Sequence, residues 1–191
     1  MEIRSFLAFE LPTDIKRIVD RVAGEVRRFA LEVRWVKTDN IHLTVVFLGR
    51  IKGEEIETIG KAVETVCLDH GPFDISLSGI GCFPNRRNPR VLWLGLEGDL
   101  ERMAYFRDAL QKQLKPFEIK LEKRPFKPHL TLGRFRKPNR SETRLHELMS
   151  AYSDLTSPVC SLNELILFRS DLNPGGAVYT KMLSWTLSGE K

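Results

Sequence analysis

Cysteine is scarce in this chain. Cys67, Cys82 and Cys160 are widely separated along 191 residues. An odd number at that spacing excludes a disulfide framework or a clustered-cysteine zinc site, and favours a reduced, cytoplasmic setting. Long apolar runs are missing too: none approaches the roughly 20 residues needed to span a bilayer. The opening MEIRSFLAFELP lacks the extended apolar stretch of a secretory signal and carries Glu2 and Glu10, so it reads as a strand. No glycine pattern of a P-loop or a dinucleotide fold occurs, and no G-x-S-x-G, so ATP, NAD and a serine nucleophile are not implied.

Histidine occurs only four times, yet two of the four share one local frame. His42-Leu43-Thr44-Val45 opens the run HLTVVFLG, and His129-Leu130-Thr131-Leu132 opens HLTLGRF, 87 residues later (129 − 42). Side chains alternate between faces along a strand. His42 and Thr44 therefore face one way, with Leu43, Val45 and Phe47 facing the other; His129 and Thr131 stand likewise against Leu130 and Leu132. His70 and His146 read as surface residues. An apolar fraction of 42% is ample for a packed interior, and 29% charged residues fit a soluble surface. The net charge of +5 leans toward a polyanionic partner such as nucleic acid. That charge is concentrated between Lys120 and Arg140, where Lys123, Arg124, Lys127, Arg134, Arg136 and Lys137 bracket the second His-x-Thr pair and Glu122 is the only acid.

Taken in order, residues 3–10 read as a strand and 13–30 as an amphipathic helix with Thr13 as its cap. A brief strand over 33–36 leads to the first histidine run, and Gly49 to Gly53 breaks the chain. Residues 54–68 read as a second helix and 73–83 as a strand. The proline-bounded loop 84–89 precedes the strand RVLWLGLE. Asp99 is positioned to cap a third helix, and IKLEK (119–123) is strand-like. Ser141 can cap a fourth helix carrying Leu145, Leu148 and Tyr152. Residues 159–170 read as a strand, Asn173-Pro174-Gly175-Gly176 as a turn, and 177–187 as a buried last strand. The order strand, helix, histidine strand, helix, strand thus occurs twice, with an offset near 86–90 residues. The expectation is an α+β fold: a single bilobal domain over 1–191, with internal units of about 3–83 and 90–170 and a closing strand at 177–187. Each pseudo-symmetric lobe is an antiparallel sheet with helices on its outer face, and a cleft lies between the two sheets.

Two imidazoles that face one another suit a reaction needing an acid and a base together, because each titrates near neutrality. Displacement at phosphorus is such a reaction, and threonine hydroxyls one pleat away can donate to phosphoryl oxygens. Two ligands are too few for zinc, and neither strand carries a further His, Cys, Asp or Glu on its histidine face, so no metal is expected. No cofactor is expected either. Arg134 can neutralise phosphate, although strict alternation aims it away from His129 unless a bulge redirects it. Arg90 can reach the cleft, Lys127 and Arg124 can contact an RNA backbone, and Phe126 and Trp35 can stack on a base.

The chain resembles the two-histidine phosphoesterases, and among them the RNA 2′,3′-cyclic phosphodiesterases, also called 2′-5′ RNA ligases. The segments that carry the resemblance are RSFLAFELP, NIHLTVVFLG, GCFPNRRNPRVLWLGL, RPFKPHLTLGR and SDLNPGGAVY, spread over nearly the whole length. The resemblance implies His42 as proton donor to the departing ribose 3′-oxygen, His129 as proton acceptor from water, and Thr44 and Thr131 as phosphate ligands. It also implies a 2′-phosphomonoester product, ATP-independent 2′-5′ joining by related chemistry run backward, and RNA ends as partners, tRNA fragments among them, for a monomeric enzyme that needs no membrane. Two readings stand beside this one: an RNA-end binding module without turnover, and a phosphodiesterase acting on small cyclic nucleotides.

Overall fold

The computed structural model describes residues 1–136, 142–174 and 176–190. Its elements in chain order are β1 (Glu2–Phe9), α1 (Thr13–Val26), β2 (Val33–Trp35), β3 (Leu43–Lys52), α2 (Ile56–Leu68), β4 (Phe73–Phe83) and β5 (Val91–Gly98). There follow α3 (Leu100–Leu114), β6 (Leu130–Phe135), α4 (Glu142–Ala151), β7 (Cys160–Leu162), β8 (Glu164–Asn173) and β9 (Gly176–Thr186). The helices form where apolar residues recur at three- and four-residue steps. Ile15, Val19, Val22 and Val26 line the buried face of α1, and Ile59, Val63, Val66 and Cys67 that of α2. Met103, Phe106, Leu110 and Leu114 do the same for α3.

These faces pack on one side of the sheet, against Leu7, Phe9, Leu43, Leu92, Leu94, Leu130, Leu165 and Leu167. Phe9 of β1, Phe73 of β4 and Phe106 of α3 meet with ring centroids 5.3–6.1 Å apart. Each buried ring contributes about 1.5–3 kcal/mol by leaving water. Among the described residues, no helix lies on the other side of the sheet. A smaller apolar cluster lies there: Phe6, Ala8, Ile166 and Phe168, with Tyr179 packed against it.

All the strands belong to one antiparallel sheet, in the order β7-β4-β5-β6-β3-β1-β8-β9, with β2 paired to β6. The expected two sheets are therefore halves of one curled sheet, β3-β1-β8-β9 and β6-β5-β4-β7. The halves are joined at a single residue pair, Leu43 opposite Leu130. β4 follows β3 in sequence but lies beside β5, while β8, reached from β6 through α4 and the short β7, lies beside β1. The strand that closes each sequence unit thus sits in the half that the other unit opens.

Several local expectations change. Helix α1 ends at Val26, and a 3-10 turn (Arg27–Phe29) finishes at Ala30 with a positive φ. Pro12, not Thr13, holds its cap position, with no side-chain cap bond. Strand β3 runs through Gly49 to Lys52, because Gly49 accepts φ +74° beside a bulge at Leu48. Residues 119–123 form no strand. Strand β9 is the sheet's edge and is half-buried to exposed, with none of its described residues fully buried. His70 is half-buried, its ring edge-on to Phe106 at 5.1 Å. Ser141 and Gly175, and Lys137 and Arg140 of the basic stretch, lie outside the described residues. Among those described, no helix is long and apolar enough to cross a membrane.

Candidate active site

The site is built where β3 and β6 touch. Leu43 and Leu130 are fully buried on the helix side. Their antiparallel pairing sets His42 level with Thr131 and His129 level with Thr44, on the opposite, helix-free face. Residues directly opposite one another stand about 4.5–5.5 Å apart at Cα, and a diagonal pair such as His42 and His129 about 7–8 Å. Two imidazoles and two hydroxyls are therefore brought together on one face at the seam.

Both rings are held in the same way. His42 Nδ1–H donates to the Asn40 carbonyl oxygen at 2.8 Å, and His129 Nδ1–H to the Lys127 carbonyl oxygen at 2.7 Å. A carbonyl oxygen only accepts, so each Nδ1 carries hydrogen and each Nε2 is left to exchange protons. His42 stacks on Phe6 at 4.7 Å and meets the edge of Tyr179 at 5.2 Å. His129 lies edge-on to Phe83 at 4.9 Å, with Trp93 at 6.4 Å. These aromatic walls exclude water, and burial is the main cause that lowers both histidine pKa values below the ordinary range. The Asn40 carbonyl and Glu10 oppose the shift at His42, and the charge of His129 adds to it. At His129 the Lys127 carbonyl opposes the shift and Arg134 adds to it. Each imidazole thus stays in the reach of neighbouring charge across the seam.

A family model, the 2′-5′ RNA ligase superfamily, matches residues 18–174. The chain belongs to that superfamily. An RNA 2′,3′-cyclic phosphodiesterase of Methanothermobacter thermautotrophicus is 34% identical over 185 residues, covering 95% of this chain and 97% of the relative. One of Archaeoglobus fulgidus is 31% identical over 179 residues, covering 93% and 96%. Among solved structures, TT0787 of Thermus thermophilus superposes with a TM-score of 0.81 at 27% identity, covering 99% of this chain and all of that one. Escherichia coli LigT, solved with 3′-AMP, shares the fold with a TM-score of 0.75 at 23% identity, covering 98% and 99%.

Within this 2′-5′ RNA ligase superfamily member, the remaining residues singled out from sequence fall into two groups. Arg134 comes to the histidine face. The β5–β6 register steps from Trp93–Thr131 to Leu92–Gly133, so Leu132 is an inserted bulge residue. The bulge resets the alternation and returns Arg134 to the side of Thr131, which is the redirection that strict alternation lacks. Arg90 is exposed, and its carbonyl accepts from the Phe135 N–H; it is one step out of phase with Val91 and Trp93, off the histidine face. Trp35 pairs with Gly133, packs against the core and lies under the Arg27 guanidinium at 5.7 Å, so it offers no stacking face to the site. Phe126 likewise packs on the core beneath Arg107 at 5.7 Å. Arg124 is exposed and ion-paired with Glu122. Lys127 is exposed and serves the site through its backbone carbonyl.

Sequence reasoning missed Phe6, Phe83, Trp93 and Tyr179, and also Arg107. Arg107 is buried in α3 and donates to the carbonyls of Glu122 (2.8 Å) and Arg124 (3.1 Å). It pins the irregular segment that delivers Lys127 and His129. A signal for Phe6 was present: from Phe6 to Phe9 every residue is apolar, Phe6 and Ala8 on one face and Leu7 and Phe9 on the other, which marks a strand covered on both faces. Phe47, expected on the core side, is 62% exposed and stands 6.3 Å from Phe6. A second bulge, at Val45, turns it to the histidine face.

Proposed function

We propose that the chain hydrolyses RNA 2′,3′-cyclic phosphate termini to 2′-phosphomonoesters with His42 and His129 as the acid–base pair and no metal ion. The observation that carries this reading is the cross-strand quartet: two histidines and two threonines on one face, each histidine with Nδ1 tied to the carbonyl two residues before it. The names of the relatives support the reaction class.

In the proposed step, His129 Nε2 takes a proton as water attacks phosphorus. The P–O3′ bond breaks, and protonated His42 Nε2 delivers its proton to the departing ribose oxygen. Thr44 and Thr131 donate to the non-bridging oxygens, whose charge grows as the new bond forms. Exchange with solvent then restores both protonation states. With a ribose 5′-hydroxyl in place of water as the nucleophile, the same pair joins RNA ends: the new P–O5′ bond forms, the P–O3′ bond breaks, and the 2′-5′ linkage is made without ATP. The partners are RNA ends, those of cleaved tRNA among them, met in the cytoplasm by a monomer.

The test is to incubate the protein with a nucleoside 2′,3′-cyclic phosphate and identify the monoester. The expected product is the 2′-phosphate, formed equally well in excess chelator. His42→Ala and His129→Ala each lower kcat by about 10²–10⁴-fold or more, with circular dichroism unchanged. A 3′-phosphate product, or full turnover by either variant, contradicts the assignment.

A further inference from the structure

Three arginines share the helix-free face with the histidines and have no carboxylate partner among the described residues: Arg4, Arg34 and Arg134. Arg34 of β2 stands directly opposite Arg134 of β6. Like charges opposed across a strand pair repel, so this pairing costs the fold stability unless an anion sits between the two guanidiniums. Arg4 is two residues from Phe6 along β1 and shares its face. Between these positions lies Tyr179, edge-on to His42, and the charges of both Arg134 and Arg4 reach its hydroxyl. The start of β9, which carries Tyr179, is fastened over the site by Asn40 Nδ2 donating to the Ala177 carbonyl at 2.8 Å.

The spacing matters as much as the charge. With Leu132 inserted, Thr131 and Arg134 are about two strand positions apart, or about 7 Å. That step is comparable to the separation of successive phosphates along a nucleotide chain. One phosphate held by the threonines therefore leaves Arg134, and Arg34 opposite it, level with its neighbour.

We propose that Arg4, Arg34 and Arg134, with the Tyr179 hydroxyl, form a second phosphate subsite that binds the phosphate 5′ to the terminal nucleoside and so selects an RNA chain over a bare nucleoside cyclic phosphate. The inference rests on the proposed reaction at the histidine pair and adds to it the feature that distinguishes substrates. A phosphate monoester and an RNA phosphodiester offer the same anionic oxygens to these donors; the assignment here is to the diester of RNA.

Steady-state KM is measured for uridine 2′,3′-cyclic phosphate with a 5′-hydroxyl, for the same compound with a 5′-phosphate, and for a dinucleotide ending in the cyclic phosphate. In the native protein at low salt, the 5′-phosphate lowers KM about tenfold, the size of a charge-assisted contact. The dinucleotide matches it. In the double variant Arg4→Gln/Arg34→Gln the gain shrinks to about twofold or less. Arg21→Gln, on the outer side of α1, removes one charge elsewhere and keeps the full gain. A native gain below twofold, or a full gain in the double variant, overturns the subsite. A dinucleotide no better than the 5′-hydroxyl compound overturns the assignment to RNA. Should none of the three be turned over, the reaction reading fails on its own, and calorimetry still decides the subsite. Uridine 2′,5′-bisphosphate is expected to bind about tenfold more tightly than uridine 2′-monophosphate, and equal affinities overturn it.

Discussion

His129 and His42 differ in what surrounds them, and the difference can be read in pH. Burial lowers both pKa values, so both limbs of the kcat/KM bell fall on the acid side of the ordinary histidine value, roughly 6.5. The acid limb reports the group that must be unprotonated, assigned to His129. The alkaline limb reports the group that must be protonated, assigned to His42. Arg134 is one of the causes holding His129 down. Arg134→Gln is therefore expected to move the acid limb to higher pH and leave the alkaline limb nearly in place; a pH–rate series on the variant checks it. The same lowering sets a stability trend. Below about 6.5 the unfolded chain takes up protons that the folded histidines refuse, so stability falls from there down to the folded pKa values. Urea midpoints at pH 7.5 and 5.5 should show the drop, and His42→Asn/His129→Asn should flatten it.

Among the elements, small departures from regularity do the aiming. The residue types that give strands were visible: the runs around both histidines and the RVLWLGL segment read correctly. The bulges at Val45 and Leu132 were not. A period of two assumes one residue per position, and nothing in VVFLG or TLGR announces that one residue is surplus. Hence Phe47 was assigned to the wrong face, and Arg134 reached the right one only by a condition. Glycine has a comparable hidden role in β4. A Cβ on Gly81 would lie 2.2 Å from two carbons of the Trp93 indole, the ring that flanks His129. Gly81→Ala is expected to cost about 1–3 kcal/mol through overpacking and to lower kcat by displacing that wall; thermal melts and initial rates separate the two effects. Arg107→Ala removes the donor shared by the Glu122 and Arg124 carbonyls. Both acceptors belong to exposed residues, so solvent can replace the lost bonds and the stability cost is held to about 0.5–1.5 kcal/mol per bond. It is expected to reduce kcat more than it raises KM, because it loosens the segment carrying the Lys127 carbonyl.

For the molecule as a whole, sequence patterning foretold the α+β class and the helix positions but not the partners of the strands. Apolar periodicity reports that FDISLSGIGCF is a strand and that one of its faces is buried. It carries no information on which edge that strand joins, since hydrogen bonds between main chains look alike whatever the side chains. The crossing of β4 and β8 between the halves was therefore illegible, as was the union of the halves at Leu43–Leu130. At this scale, the basic arc on the open face predicts that KM for an RNA oligonucleotide rises steeply with salt, as displaced counterions lose their entropic advantage. The uncharged-tail substrate, a 5′-hydroxyl nucleoside cyclic phosphate, should show a much flatter dependence. Measuring both between 50 and 200 mM salt, on the order of the range in which such slopes are read, is sufficient.

The crossing also dictates a timetable for birth on the ribosome. Ser5 is paired with Arg169 in the central part of the sheet, so the first strand to be synthesised waits for almost the last. Until β8 emerges, β1 has an apolar flank and an open edge, an invitation to stray pairing. A nascent chain stalled near residue 150 should accordingly be a chaperone client, and release of the remaining segment should end that dependence.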